Sequence, residues 1–199
     1  WNCADSASLT CQLTWTEFIG TSWGITTNRA QLSGNVGGNR ARADSDLASD
    51  DHYCQATLAV FTFAGGFNSG GVLCRKGATG TDTCYFCNAV DDGAAPYFNM
   101  SKLVAGTETS LGTNAQDPVV NDVIRVEADG SSITSKVNGT TIIGPVTDTD
   151  ITGNVRCGIL GYVDTAGNVF ALDAWSAADL AAGGATWPGW FHSRGGWTA

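Results

Sequence analysis

The sequence predicts an all-β fold, a sandwich of two antiparallel sheets, and three observations support this prediction. Strong helix formers are scarce, because the 199 residues include one methionine and only three glutamates, Glu17, Glu108 and Glu127. Glycine is abundant, with 26 residues, which suits many tight turns. Short runs with strand-like alternation recur about every 8 to 12 residues without helical periodicity between them, as is typical of sandwiches and barrels.

In the first half of the chain, the longest predicted strand covers residues 52–63. Neither of its faces is strongly charged, so we expect it to be buried for much of its length. The runs 70–75 and 83–90 flank a loop rich in glycine and threonine and therefore predict a hairpin. A further strand is predicted over 97–105, with the short run 107–112 pairing with it.

The second half begins with a strand that alternates clearly over residues 123–129. Ile124, Val126 and Ala128 are predicted to face the core, and Arg125 and Glu127 to face solvent. The next strand, over 133–137, follows a turn signal at Asp129-Gly130.

Asn138-Gly139 is the strongest turn signal in the chain. Both residue types tolerate the positive φ that a type I′ hairpin turn requires, so we expect a tight hairpin into a strand over 140–146. Closing strands are predicted over 156–163 and 169–177. Residues 177–182 favour one helical turn, and no periodicity follows. The chain is thus divided into a sandwich, residues 1–182, and an aromatic-rich C-terminal tail, residues 183–199.

Several of these segments, taken in order, resemble one family of domains. They are Trp23-Gly24-Ile25, Asn28-Arg29-Ala30, and the runs 51–57, 122–130, 137–139, 146–148, 158–160 and 173–175. Together they resemble the concanavalin A-like, or laminin-G-like, jelly-roll domains found in bacteriophage structural proteins and in bacterial surface and sugar-binding proteins. The resemblance spans roughly residues 14–177 and implies a jelly-roll β-sandwich of two antiparallel sheets. The Cys3–Cys11 region and the irregular C-terminal tail lie outside it.

The resemblance implies a function only broadly, because its motifs are turns and core positions. The leading hypothesis is a non-enzymatic structural or binding module on a virion surface, such as a capsid decoration, head-fibre or tail protein, with glycan-binding capacity. A secreted lectin-like carbohydrate-binding protein is the alternative, and a polysaccharide hydrolase or lyase is the third. The expected location is the virion surface or the extracellular space. The first residue is Trp1, so we expect a processed form or a fragment.

The charge and composition narrow the range of partners. A net charge of −9 and a pI near 4.4 disfavour nucleic acid and anionic membrane surfaces, and no apolar stretch is long enough to span a bilayer. The expected partners are other virion or surface-assembly proteins, including copies of this chain, and a glycan.

No catalytic residue is predicted. Hydrolases of the resembled fold carry a Glu-x-Asp-x-x-Glu strand, which is absent here, and Glu127 is interpreted as a surface partner of Arg125. A nucleophilic triad needs a histidine beside a serine or cysteine. His52 begins a strand two residues before Cys54, and His192 lies in the tail, so neither position favours such a triad.

The seven cysteines cannot all pair within one chain. Cys3 and Cys11 are the candidate disulfide. Cys84 and Cys87 have Cys-x-x-Cys spacing, but on a strand they point to opposite faces, so packing is favoured over a metal site. A cross-strand contact between Cys74 and Cys84 is the alternative.

No cofactor is expected, with calcium at acidic turns as the exception left open. The two turns concerned are Asp148-Thr149-Asp150 and Asp91-Asp92-Gly93. Carboxylate oxygens are suitable calcium ligands, although short acidic turns are more often only solvated.

The tail supplies the candidate partner-binding residues. These are Trp187, Trp190, Phe191, Arg194 and Trp197. Aromatic side chains left in solvent favour aggregation, so either the sandwich or a neighbouring chain must cover them. We expect a neighbouring chain, because aromatic residues with an arginine are enriched in protein interfaces.

Overall fold

The computed structural model describes residue 9 and residues 13–34, 36–77 and 82–181. The predicted pair Cys3 and Cys11 and the predicted tail residues Trp187, Trp190, Phe191, Arg194 and Trp197 lie outside the described residues. The predicted domain boundary after residue 182 does so as well.

The described residues form fourteen strands and no helix. In chain order these are β1 (Trp15–Ile19), β2 (Gly24–Thr26), β3 (Arg29–Ser33), β4 (Gly37–Ala43), β5 (His52–Thr62), β6 (Asn68–Lys76), β7 (Cys84–Asp91), β8 (Tyr97–Val104), β9 (Thr107–Asn114), β10 (Val123–Asp129), β11 (Ser132–Val137), β12 (Thr140–Thr147), β13 (Arg156–Val163) and β14 (Val169–Asp179). No helix in this part of the chain has the length and apolarity needed for a membrane span.

The strands form two antiparallel sheets of seven. Sheet I has the order β1-β4-β13-β6-β7-β8-β9, and sheet II has the order β12-β11-β10-β5-β14-β3-β2. Strands distant in the sequence are neighbours in space, such as β4 beside β13 and β5 beside β14. The predicted jelly-roll β-sandwich is therefore confirmed.

The core lies between the sheets and is built from alternate residues of each strand. On β10, Ile124, Val126 and Ala128 are fully buried, as predicted. Arg125 and Glu127 lie on the opposite face but are only partly exposed. The Arg125 guanidinium is 3.5 Å from the centroid of the Tyr53 ring and pairs with Glu127, so these charged groups partly cover one another.

The Asn138-Gly139 hairpin is confirmed. The φ angles are 52° at Asn138 and 80° at Gly139, and β11 pairs with β12 directly across the turn. The Asn138 side chain also accepts a hydrogen bond from the Val123 N–H at 2.9 Å, which ties this turn to the start of β10.

Two local predictions are wrong. Residues 177–182 do not begin a helical turn, because β14 continues to Asp179 and pairs with β5 as far as His52. The preceding hairpin turn is shifted by one residue, since Asp129 pairs with Ser132 and leaves Gly130 and Ser131 at the turn. In both places, backbone pairing with a neighbouring strand outweighs local sequence preference.

The five cysteines of the described residues are buried free thiols. Cys74 and Cys87 face the core between the sheets, whereas Cys84 belongs to a smaller apolar cluster on the outer face of sheet I. The opposite orientation of Cys84 and Cys87 is therefore confirmed, and Cys74 and Cys84 also lie on opposite faces.

Arg75 connects several loops at one end of the sandwich. Its side chain is 1% exposed. The guanidinium donates to the carbonyl oxygens of Asp50 at 2.8 Å, Gly130 at 2.7 Å and Ile151 at 3.0 Å, and it pairs with the Asp51 carboxylate at 3.1 Å. A buried charge is tolerated when its donors are satisfied in this way.

His52 belongs to the same end of the molecule and is fully buried. Its Nε2 accepts the Arg75 N–H at 3.0 Å, and its Nδ1 lies 2.9 Å from the carbonyl oxygen of Ser49. Because Nε2 accepts a hydrogen bond, the ring is neutral and carries its proton on Nδ1.

Candidate functional site

A cleft of about 480 Å³ lies on the outer face of sheet I. Residues that face the core, such as Val72, Cys87 and Ile159, alternate along the strands with the residues that face the cleft. Five strands, β4, β13, β6, β7 and β8, contribute to its floor and walls, and Glu108 of β9 stands at its rim. A depression of this size suits a small molecule or part of a polymer chain.

One line of residues crosses the strands through the cleft, and we call it the cross-strand row. Its members are direct partners on adjacent strands: Arg40, Leu160, Gly71, Asn88, Asn99 and Thr113. Six strands at a spacing of about 4.8 Å give the row a length of roughly 24 Å. The site therefore runs across the sheet.

Two glycines occupy positions beside the cleft where a side chain would be crowded or would reduce the open space. Gly71 lies at the centre of the cross-strand row, and a Cβ atom there would come within 1.9 Å of the carbonyl oxygen of Cys87. Only glycine allows β6 and β7 to approach this closely. Gly38 contributes a second position without a side chain, beside the Tyr162 ring.

Two asparagines form the polar centre of the cleft. The Asn99 amide donates to Ser101 Oγ at 2.9 Å and to Asn88 Oδ1 at 3.3 Å, and its own oxygen accepts the Ser110 hydroxyl at 3.3 Å. These bonds fix the orientation of both amides. Within the part of the chain that the structure describes, the Asn88 NH₂ group has no protein acceptor, so its donor capacity is unused.

Aromatic rings border the polar centre. On one side, Tyr162 is 41% exposed and meets Phe67 edge to face, with ring centroids 5.4 Å apart. Asp164 anchors this wall by accepting the Phe67 N–H at 2.6 Å. On the other side stands Tyr97. Burial and the nearby carboxylates of Asp92 and Glu108 raise the pKa of Tyr97, so its hydroxyl is protonated and can donate.

The cleft contains more acidic than basic side chains. Arg40 forms an ion pair with Asp82, a partly buried carboxyl whose pKa is raised by burial and lowered to a lesser extent by Arg40. Glu108 and Asp164 also line the cleft and form no ion pair within the described residues. With Arg40 balanced by Asp82, the cleft carries excess negative charge.

An apolar cluster closes one end of the site. It comprises Leu73, Cys84, Phe86, Leu103 and Leu160, with Phe18 of β1 packed against it. The Lys76 ammonium lies 4.6 Å from the centroid of the Phe18 ring. The amides of Asn88 and Asn99 therefore have an apolar boundary on the side of Phe86 and Leu160, which both line the cleft.

The three glutamates considered in the sequence have different positions. Glu17 accepts the Trp23 N–H at 3.3 Å, and burial raises its pKa. Glu127 pairs with Arg125 and with Lys136 at 2.7 Å, which agrees with its interpretation as a surface partner. Glu108 is at the cleft, and sequence analysis did not identify it because its importance depends on cross-strand neighbours.

The acidic turns considered for calcium have protein partners. Asp148 and Asp150 both pair with Lys102, and Asp148 also accepts the Tyr85 hydroxyl at 2.5 Å. Asp91 and Asp92 accept backbone N–H groups within their own turn. Residues 13–34, 36–77 and 82–181 contain no cluster of three or more histidine, cysteine or acidic residues arranged to hold a metal ion.

Comparisons with known proteins give matches at the level of structure. No protein-family model matches the chain, and no curated protein matches it. Carbohydrate-binding module CBM66 from Bacillus subtilis is similar in structure, with a TM-score of 0.67 and 17% identity over 84% of this chain and 98% of that chain. A legume lectin-like domain from Entamoeba histolytica gives a TM-score of 0.54 and 12% identity over 84% and 90% of the respective chains. The chain has the concanavalin A-like jelly-roll fold.

One further structure with this fold comes from a virus. The CBM2 module of the evolved Dit of Lactobacillus casei BL23 phage J-1 gives a TM-score of 0.51 and 12% identity over 78% of this chain and 76% of that chain. The TM-scores establish the shared concanavalin A-like fold. Because the sequence identities are this low, the function must be argued from the cleft itself.

Proposed function

We propose that this chain is a non-enzymatic glycan-binding module and that the cleft on sheet I is its binding site. The observation that carries the proposal is the pair of fixed amides, Asn88 and Asn99, between the aromatic walls of Tyr162 and Tyr97. A sugar ring has hydroxyl groups that donate and accept hydrogen bonds, and it has C–H surfaces that pack on aromatic rings. Amides satisfy the first requirement and tyrosine rings the second.

The charge of the cleft favours a neutral glycan. Glu108 and Asp164 would repel uronic acids and sulfated or phosphorylated sugars, and the chain as a whole carries a net charge of −9. Like charges brought together at a binding site disfavour the wrong partner. We therefore expect neutral polysaccharides to bind and acidic ones to be excluded.

The structural comparisons add independent support. Two of the similar structures are named as carbohydrate-binding modules and one as a legume lectin-like domain. These names indicate carbohydrate ligands, the same class that the amides and aromatic rings of the cleft favour. Because one fold serves many functions, the binding site of this chain must be established separately.

The test is retention on immobilised neutral polysaccharides, followed by calorimetry with soluble fragments of any polymer that retains the chain. Cellulose, xylan, starch, mannan and chitin form the panel, with pectin as the acidic comparison. We expect Asn88→Ala to weaken binding about tenfold or more, because the variant lacks the NH₂ donor that has no protein acceptor within the described residues, and leaving a sugar oxygen unpaired costs roughly 1–3 kcal/mol.

Asn154→Ala is the matched control, since Asn154 precedes β13 and does not line the cleft. It should bind like the parent chain. Absence of retention on every neutral polymer, or equal binding by both alanine variants, would contradict the proposed site.

A polysaccharide hydrolase is the second candidate, because two carboxylates, Glu108 and Asp164, line the same cleft. Paired carboxylates are the usual catalytic groups of glycosidases. Asp164, however, already accepts hydrogen bonds from Phe67 and Thr165, which favours an anchoring role. The discriminating measurement is release of reducing ends from the bound polymer. We expect none from the parent chain, and release that disappears in Glu108→Gln would establish the enzyme.

We further propose a virion surface as the setting of the module, supported by the fold shared with a module of a phage Dit. A secreted lectin-like protein is the alternative. In the first case, the chain should sediment with intact particles and contact other virion proteins. In the second, it should be recovered free of particles and eluted from a glycan column by sugar.

A further inference from the structure

A second depression adjoins the cleft on the outer face of sheet I. It has a volume of about 330 Å³ and is lined by Ala95, Tyr97, Thr113, Asn114 and Ala115. Tyr97 also lines the cleft, so this one residue borders both hollows. Both hollows open on the same face of the sheet, because Thr113 is the direct partner of Asn99.

The cross-strand row joins the two hollows without interruption. Asn88 and Asn99 lie in the cleft, and Thr113, the last member of the row, lies in the second depression. Thr113 is exposed, and its hydroxyl forms no hydrogen bond within the described residues. The polar groups available to a ligand therefore continue beyond the cleft and past Tyr97.

The second depression has a fixed wall. The Asn114 amide donates to the carbonyl oxygen of Ile142 at 3.0 Å, and its oxygen accepts the Gln116 N–H at 2.9 Å. These bonds hold the segment after β9 against β12 of the other sheet. The second depression thus has a fixed boundary on the side away from the cleft. A ligand that binds there loses little free energy to the ordering of protein side chains or loops.

From these observations we infer that the ligand is an extended glycan chain that crosses the strands of sheet I, with consecutive sugar units in the cleft, against the Tyr97 ring and in the second depression. This inference rests on the proposed function and adds the size of the ligand to it. A ligand of one or two sugar units would be accommodated by the cleft alone and would leave the Thr113 and Ala115 surface unused.

The experiment measures affinity as a function of chain length. Oligosaccharides of two, four and six units are prepared from the polymer that retains the parent chain, and each is titrated by calorimetry. We expect the six-unit chain to bind about tenfold or more tighter than the two-unit chain, because contacts in the second depression become intramolecular once the cleft is occupied.

The variant Ala115→Trp fills the second depression from an exposed position. It should reduce the affinity for the six-unit chain to nearly that of the two-unit chain, and it should leave the two-unit affinity within about twofold of the parent value. Ser131→Trp is the control, because Ser131 is an exposed turn residue of sheet II, and it should change neither affinity.

Equal affinities for two and six units in the parent chain, or an unchanged six-unit affinity in Ala115→Trp, would overturn the extended-chain inference and leave the cleft as a site for one or two sugars. Loss of binding to the polymer itself would instead refute the proposed function. The two failures are therefore distinguishable.

Discussion

His52 shows how a single buried residue makes stability depend on pH. Burial of the ring, followed by the proximity of Arg75, lowers the pKa of His52 below its ordinary value of 6.5. In the unfolded chain the imidazole binds a proton near pH 6.5, whereas the folded chain keeps it neutral to lower pH. The stabilisation is therefore complete above pH 6.5 and is lost as the pH falls below it.

We predict that the free energy of unfolding decreases from pH 6.5 to 5, with a slope of at most about 1.4 kcal/mol per pH unit from this residue. Urea denaturation at several pH values measures it. His52→Gln, which cannot be protonated, should lower stability at pH 8 and flatten the slope between pH 5 and 6.5. The same slope in the variant and the parent chain would assign the effect to other groups.

At the residue scale, the sequence predicted which face of a strand a side chain occupies, but often not which groups that side chain contacts. Alternation along β10 correctly placed Ile124 and Val126 in the core. It did not reveal that Arg125 lies over the Tyr53 ring, because Tyr53 is on β5 and the contact depends on strand register. Nor could alternation reveal the buried position of Arg75, whose donors are satisfied by loops distant in the sequence.

At the scale of strands, the approach of β6 to β7 depends on Gly71. A methyl group at this position would collide with the backbone at Cys87, and backbone atoms cannot move aside as a flexible side chain can. We predict that Gly71→Ala lowers the free energy of unfolding by roughly 1–3 kcal/mol, as overpacking typically does, and weakens glycan binding because it displaces β7, which carries the cleft residue Asn88.

Gly38→Ala is the matched comparison, because the nearest side-chain atom to its Cβ would be 3.5 Å away on Tyr162, an ordinary contact. Thermal unfolding and calorimetry of both variants provide the measurement. Similar stabilities for the two variants would show that β6 and β7 can separate at little cost.

Individual strands were predictable where alternation and turn chemistry agreed. The hairpin through Asn138-Gly139 is the clearest example. Strand β4 was not predicted, because Gly37–Ala43 has glycines and arginines where a typical strand has β-branched residues. Its extended conformation is stabilised by pairing with β13. The end of β14 was predicted as a helical turn from its alanines, and pairing with β5 determines its actual conformation.

At the scale of the whole molecule, the binding site could not be predicted from the sequence. Its residues extend from Gly38 to Asp164, and they meet only because seven strands are ordered in sheet I as they are. Asn88 belongs to no recognisable motif, and Asn99 begins an Asn-Met-Ser glycosylation sequon, a pattern that indicates an attachment site and not a ligand-binding residue. The fold class was predictable because local patterns determine it, whereas the cleft depends on strand order.

The tail provides a prediction about assembly. We expect truncation after Gly184 to leave the melting temperature of the domain unchanged and to abolish association with its partner proteins, because the aromatic residues from Trp187 to Trp197 are the predicted docking residues. Differential scanning calorimetry and sedimentation measure the two properties. A loss of only about 1 kcal/mol would lower the melting temperature by roughly 2–4 °C, and such a decrease would contradict the docking role.

The buried thiols have a consequence for how the domain opens. Burial raises the pKa of Cys84 and of Cys87 to about 12 and raises that of Cys74 and Cys157 as well. At these four positions a closed molecule therefore presents almost no thiolate to an alkylating reagent, and reaction at each of the four sulfurs must wait for its strand to be released. Of these four, Cys84 belongs to the outer apolar cluster, whereas Cys74, Cys87 and Cys157 belong to the core. The labelling time of Cys84 therefore reports local fraying on the outer face of sheet I, and the labelling times of the other three report separation of the two sheets.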